Sequence, residues 1–131
     1  MAASVTTFLM FEGKAEEAMT FYTSLFKDAE VLAIERYGAG EPGREGTVKT
    51  ARFSLAGRDF MCIDSHVHHD FTFTPAVSLY VECESEDEID NLYAEFGDGG
   101  AALMPLGDYG FGSKFGWIND RYGLSWQLCL P

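Results

Sequence analysis

The sequence predicts an α+β fold: two βαβββ modules, at about 5–64 and 76–131, forming one curved, cup-like mixed sheet with helices on its outer face. Three observations lead there. Short runs of strand-forming residues recur along the chain, and two amphipathic helical stretches interrupt them at corresponding places. A shift of 70 residues then superposes much of the first half on the second, with Leu9 on Leu79, Glu12 on Glu82, Met19 on Ile89, Phe26 on Phe96 and Asp28 on Asp98. At 131 residues the chain has the size of one domain.

Residues 6–11 are short, rich in β-formers and apolar on both faces, which predicts a covered strand. Alternation assigns Thr7, Leu9 and Phe11 to the hollow of the cup, and Phe8 and Met10 to the helices. Residues 14–26 switch to helical period, with Ala15, Ala18, Met19, Tyr22, Leu25 and Phe26 on one stripe. Residues 31–34 make the second strand. The glycine-rich loop 38–46 is expected to be a mobile lid. Residues 50–55 alternate, with Ala51, Phe53 and Leu55 sharing a face, and turn through Ala56 and Gly57 into a strand at 60–63.

The second half repeats the pattern. Residues 77–81 read as a strand. Ser85 and Glu88 have capping-box spacing before the helical stripe of Ile89, Leu92, Tyr93 and Phe96, which Gly97 closes. Residues 101–106, 115–118 and 126–130 supply three more strands. Ser78 and Tyr80 share a face with position 76, and Gln127 shares one with Cys129, leaving Trp126 and Leu128 behind.

Charge and length exclude several functions. The net charge of −12, from 21 acidic and 9 basic side chains, repels phosphate backbones and anionic lipid, so neither nucleic acid nor a membrane is an expected partner. No apolar run approaches the ~20 residues needed to cross a bilayer, and residues 1–5 have no basic, apolar signal pattern. The three cysteines, Cys62, Cys83 and Cys129, lie in apolar runs without a CxxC spacing and read as buried reduced thiols. That usage predicts a cytoplasmic protein.

Two motifs invite chemistry. His66, His68 and His69 lie between Asp64 and Asp70, and His66, His68 and Asp64 form a possible metal set. Their spacing matches no helical pair and no zinc finger, which favours a polar connection between the halves. The glycines from Gly107 to Gly116 fit neither a Walker nor a Rossmann pattern and precede no helix. Cys62, near His66 in sequence, has no electropositive surroundings to make it a nucleophile. The aromatic content of 15% is more telling. Thr7, Leu9, Phe11, Cys62, Ser78, Tyr80, Phe111, Trp117 and Gln127 would give a site apolar walls and a few polar groups, the make-up of a small-molecule pocket. A cup filled by its own side chains or by a partner is the competing picture.

The run Phe11-Glu12-Gly13-Lys14-Ala15-Glu16-Glu17-Ala18, followed by Phe21-Tyr22, resembles the vicinal oxygen chelate superfamily of glyoxalase I, extradiol dioxygenases and bleomycin-resistance proteins. Gly99-Gly100, Met104-Pro105-Leu106, Tyr109-Gly110-Phe111, Phe115-Gly116-Trp117 and the terminal Asn119-Asp120-Arg121-Tyr122-Gly123-Leu124-Ser125-Trp126-Gln127-Leu128 are similar to its PhnB-like branch, labelled 3-demethylubiquinone-9 3-methyltransferase-like. The resemblance implies a homodimer. It also implies four metal-ligand positions, which fall on Thr7, Ala76, Gln127 and either Cys62 or Asp64. Ala76 has no donor and Thr7 is a poor one, so the inherited metal is expected to be lost and no cofactor is expected. The expected function is binding of a small, largely apolar or aromatic molecule. A metal-assisted lyase, isomerase or dioxygenase and a ligand-free dimeric interaction domain are the alternatives. Methyl transfer is disfavoured, because no glycine-rich strand-to-helix turn is present for a bulky charged donor.

Overall fold

The computed structural model describes residues 1–131 and has βαβββ order twice over. The elements are β1 (Thr7–Phe11), α1 (Ala15–Leu25), β2 (Ala29–Arg36), β3 (Val48–Leu55), β4 (Arg58–Asp64), β5 (Leu79–Glu82), α2 (Glu86–Gly97), β6 (Ala101–Gly107), β7 (Lys114–Asn119) and β8 (Ser125–Leu130). The chain divides into two units, Met1–His69 and Asp70–Pro131. Each holds a four-stranded mixed sheet and one helix, in the orders β1-β4-β3-β2 and β5-β8-β7-β6. In both sheets the first strand runs parallel to the last, and the other pairings are antiparallel.

In the first unit, α1 buries Ala15, Ala18, Met19 and Tyr22. The sheet residues on its side follow from the register. Leu9 stands opposite Cys62, Phe11 opposite Asp64, and Cys62 opposite Ala51, and directly paired residues project to the same face. Asp64 Oδ1 accepts from the backbone N–H groups of Gly13 (2.7 Å) and Ala15 (2.9 Å) at the start of α1, which marks this face as the helix side. Leu9, Phe11 and Cys62 therefore pack beneath the helix, and Thr7 has the same parity through its partner Phe60. This reverses the expected assignment: Leu9 is 5% exposed and Phe8 is 57% exposed. The cause lies in the composition of β1. Every position but Thr7 is large and apolar, so a period of two tells which residues share a face but not which face is covered. The repeat carries the missing sign, since the 70-residue shift puts Phe8 on Ser78 and Met10 on Tyr80.

In the second unit the alternation holds as expected. Phe96 of α2 stacks on Trp126 with ring centroids 4.3 Å apart, and Lys114 Nζ meets Asp90 Oδ1 of α2 at 2.6 Å. Trp126, Leu128 and Lys114 thus lie on the helix side, and Tyr80, Gln127, Cys129, Phe115 and Trp117 lie on the reverse.

The two helices start differently. Ser85 Oγ accepts from the Glu88 N–H at 3.1 Å, while Glu88 Oε1 reaches back to the N–H of Glu84 at 2.8 Å, so the capping box forms with its return bond one residue early. Lys14 gives α1 no side-chain cap, and Asp64 on β4 serves instead. The left-handed residue after α2 is Gly99 (φ +77°), two places beyond the expected Gly97, which is still helical. The β3–β4 turn places Ala56 at φ +50° and Gly57 at φ +78°, the two positive angles of a type I′ hairpin.

Candidate functional site

The face of the second sheet turned away from α2 carries a chain of polar side chains among aromatic rings. Ser78 Oγ and Ser125 Oγ are 2.7 Å apart. Trp117 Nε1 donates to Ser125 Oγ at 2.8 Å, and Gln127 Nε2 donates to Ser78 Oγ at 3.3 Å. Ser125 is fully buried at the base of this chain. It was not among the residues expected at the site, although its separation of two from Gln127 on one strand gives it the same face.

Tyr80 stands beside Gln127 in the register and is 56% exposed. Its hydroxyl is pushed up to about 12 by hydrogen bonding with Cys129, then by desolvation and the nearby Glu82 carboxylate, so it stays a neutral donor at physiological pH. Phe111, on the β6–β7 connection, meets the Phe115 ring edge-on at 4.9 Å and lies parallel to Tyr109 at 6.2 Å. The Cys129 thiol donates to the Phe111 carbonyl at 3.4 Å. That connection joins two antiparallel strands, as the failed phosphate-loop patterns require. Gly112 (φ +152°) lets it close on β8, where an added Cβ would come within 2.7 Å of the Leu130 oxygen. Ser78, Tyr80, Trp117, Gln127 and Phe111 are thus on or beside one face.

The first unit has a cavity of about 290 Å³ whose lining includes Glu12, Arg44, Asp64, His66 and His68. Its polar groups are largely engaged. Asp64 Oδ1 takes the two amides at the start of α1 and Oδ2 takes the Val48 N–H at 2.9 Å. His68 Nδ1 lies 2.8 Å from Glu12 Oε1, and the His69 N–H donates to Glu12 Oε2 at 3.3 Å. The His68 hydrogen bond, followed by that from His69, holds the Glu12 carboxyl below its usual range. His69 Nε2 pairs with Ser65 Oγ at 3.0 Å. His66, His68 and Asp64 are not gathered as a ligand set, and no other three His, Cys, Asp or Glu side chains in the chain are.

The four inherited positions do not fit a divalent ion either. Cys62 and Asp64 both face α1, where burial and then Asp64 push the Cys62 thiol up to about 12. The positions of β4 on the opposite face are Asp59, Met61 and Ile63, of which only the exposed Asp59, beside the β3–β4 turn, offers a hard donor. The loop at 38–46, expected to be a lid, is tied by hydrogen bonds within itself and to its flanks. The buried Tyr37 donates its hydroxyl to the Asp64 carbonyl at 3.1 Å, the Gly46 N–H reaches the Tyr37 carbonyl at 2.9 Å, and Glu41 takes the Gly38 N–H and Lys49.

The model of the family described as 3-demethylubiquinone-9 3-methyltransferase matches residues 3–129. The chain belongs to this PhnB-like family. The PhnB protein from Bacillus cereus is 62% identical, with 98% of this chain and 99% of that one covered and a TM-score of 0.96. Protein PA1353 from Pseudomonas aeruginosa shares the fold at 24% identity, with 98% of each chain covered and a TM-score of 0.85. A glyoxylase/bleomycin resistance protein/dioxygenase domain from Frankia sp. shares it at 18% identity, covering 99% of this chain and 98% of that one, with a TM-score of 0.67. This PhnB-like chain is therefore a vicinal oxygen chelate fold. No curated protein matches it. No helix is long and apolar enough to cross a membrane.

Proposed function

We propose that this PhnB-like chain binds a small, neutral, largely apolar or aromatic molecule and does so without the superfamily's metal. One observation carries the reading. Half-buried Trp117 and exposed Tyr80 and Phe111 share the surroundings of a hydrogen-bonded Ser125–Ser78–Gln127 chain that has no charged member. Rings supply area and stacking at little entropic cost, and a short polar chain sets orientation. Metal-assisted chemistry finds no support in the donors, since Cys62 and Asp64 are committed to the face under α1. Methyl transfer finds none in the turns leading into α1 and α2, which contain no glycine-rich cradle.

The same reading has the protein cytoplasmic and homodimeric. Exposed Val31 and Leu32 on the edge strand β2 ask for cover and support the second point. Sedimentation velocity tests it, and a monomer at all concentrations would remove that part.

Thermal shift and tryptophan fluorescence with 2-naphthol test the binding itself. The expected result is stabilisation by the ligand, quenching of Trp117, and weaker binding by about tenfold in Tyr80→Ala or Phe111→Ala. No ligand-dependent change up to about 1 mM, across neutral aromatic probes, would refute it.

A further inference from the structure

We infer that the molecule taken by the second sheet presents a neutral edge with a hydrogen-bond donor beside an acceptor, as a carboxamide or lactam does. The inference rests on the binding reading above and narrows its ligand class. Asn119 lies two residues beyond Trp117 on β7 and stands opposite Ser125, so it shares their face. Its side-chain oxygen is shielded from solvent and has no hydrogen-bond partner, and no other shielded side-chain oxygen or nitrogen in the chain is left so. Native structures pair nearly all such groups, because an unpaired one loses its hydration with nothing in return. The unfilled acceptor therefore marks where a donor from outside the chain fits.

Counting protons on the neighbouring serines supplies the other half of the edge. Ser125 Oγ already accepts from Trp117, and Ser78 Oγ already accepts from Gln127. Between the two hydroxyls only one O–H can bridge, whichever oxygen donates it. Two hydroxyls carry two protons, so one O–H remains to be given away. An N–H group on the ligand answers Asn119, and a C=O group answers the serine hydroxyl. An ester or quinone would leave Asn119 unpaired, and a hydrocarbon would leave both groups unpaired. An anion would face the Asn119 oxygen and Glu82, with no cation on the face to receive it, since Lys114 is turned toward Asp90 of α2.

A matched series on one ring system tests this: 2-naphthamide, methyl 2-naphthoate, naphthalene and 2-naphthoate, each titrated against the wild-type chain and Asn119→Leu. The amide should bind at least about tenfold more tightly than the other three. In Asn119→Leu that advantage should vanish, while naphthalene binding stays within about twofold. Should Asn119→Leu melt early, Asn119→Ala is read in the same series. Asn119→Asp, which keeps the acceptor, should retain the preference for the amide over the ester. Equal affinity for all four compounds, or a preference that survives both Leu and Ala, overturns the donor–acceptor edge and leaves the binding reading standing. No binding by any of the four overturns both.

Discussion

Replacing Asp64 separates its structural role from the metal-ligand role that its neighbourhood suggests. The carboxylate is 3% exposed and accepts three backbone N–H groups, from Gly13 (2.7 Å), Ala15 (2.9 Å) and Val48 (2.9 Å), so it joins the start of α1 to the start of β3 from the end of β4. Hydrogen bonds to a charged acceptor are worth about 1.5–3 kcal/mol each, and their deletions do not add fully. Asp64→Ala should therefore cost about 3–5 kcal/mol, a large share of the ~5–15 kcal/mol that holds a domain together. Asp64→Asn keeps one oxygen for α1 but points an amide N–H at the Val48 donor, for an expected loss of about 2 kcal/mol. Urea unfolding followed by circular dichroism reads both values. Hydrogen exchange at Gly13, Ala15 and Val48 should accelerate together. A carboxylate held in reserve for a metal behaves in the opposite way, since removing it from the metal-free chain leaves stability unchanged or raised. Losses below about 1 kcal/mol in both variants would refute the capping argument.

The remaining expectations concern single groups. Ala56, at φ +50° in a type I′ turn, should gain about 0.5–1 kcal/mol of stability when changed to Asn or Gly, measured by thermal melting; a loss would mean that the turn is not I′ in solution. Ser85→Ala should lose about 1 kcal/mol through the α2 cap, and an unchanged midpoint would count against it. The Glu12 carboxyl should titrate below its usual range by NMR and move back up in His68→Ala, with His69 supplying the smaller remaining part. Because its folded value is lowered, its contribution is full above the unfolded carboxylate range and fades as pH falls through the folded value. Cys62 and Cys83, each pushed up to about 12 chiefly by burial, should resist a disulfide reagent at pH 8 until the chain unfolds; rapid native labelling of either would contradict their placement.

The sequence by itself determined the element order, both helical stripes, the α2 capping box and the β3–β4 hairpin, because each depends on neighbours a few residues apart. It also determined which faces of β5 and β8 look where, since polar Ser78 and Gln127 alternate there with Leu79, Trp126 and Leu128. Nothing within β1 itself decided its sense; apart from the 70-residue repeat, which puts Phe8 on Ser78 and Met10 on Tyr80, only the tertiary structure did. Its large apolar residues leave local alternation without a sign, and that sign follows from Asp64 reaching across 49 residues to cap α1. The same long-range bond turned a candidate ligand into a structural cap, and the Ser78–Ser125 contact, 47 residues apart, made a site component of a serine that no local pattern singled out. Hydrogen bonds between distant strands are set by register, and register is decided when the sheet forms rather than along the chain.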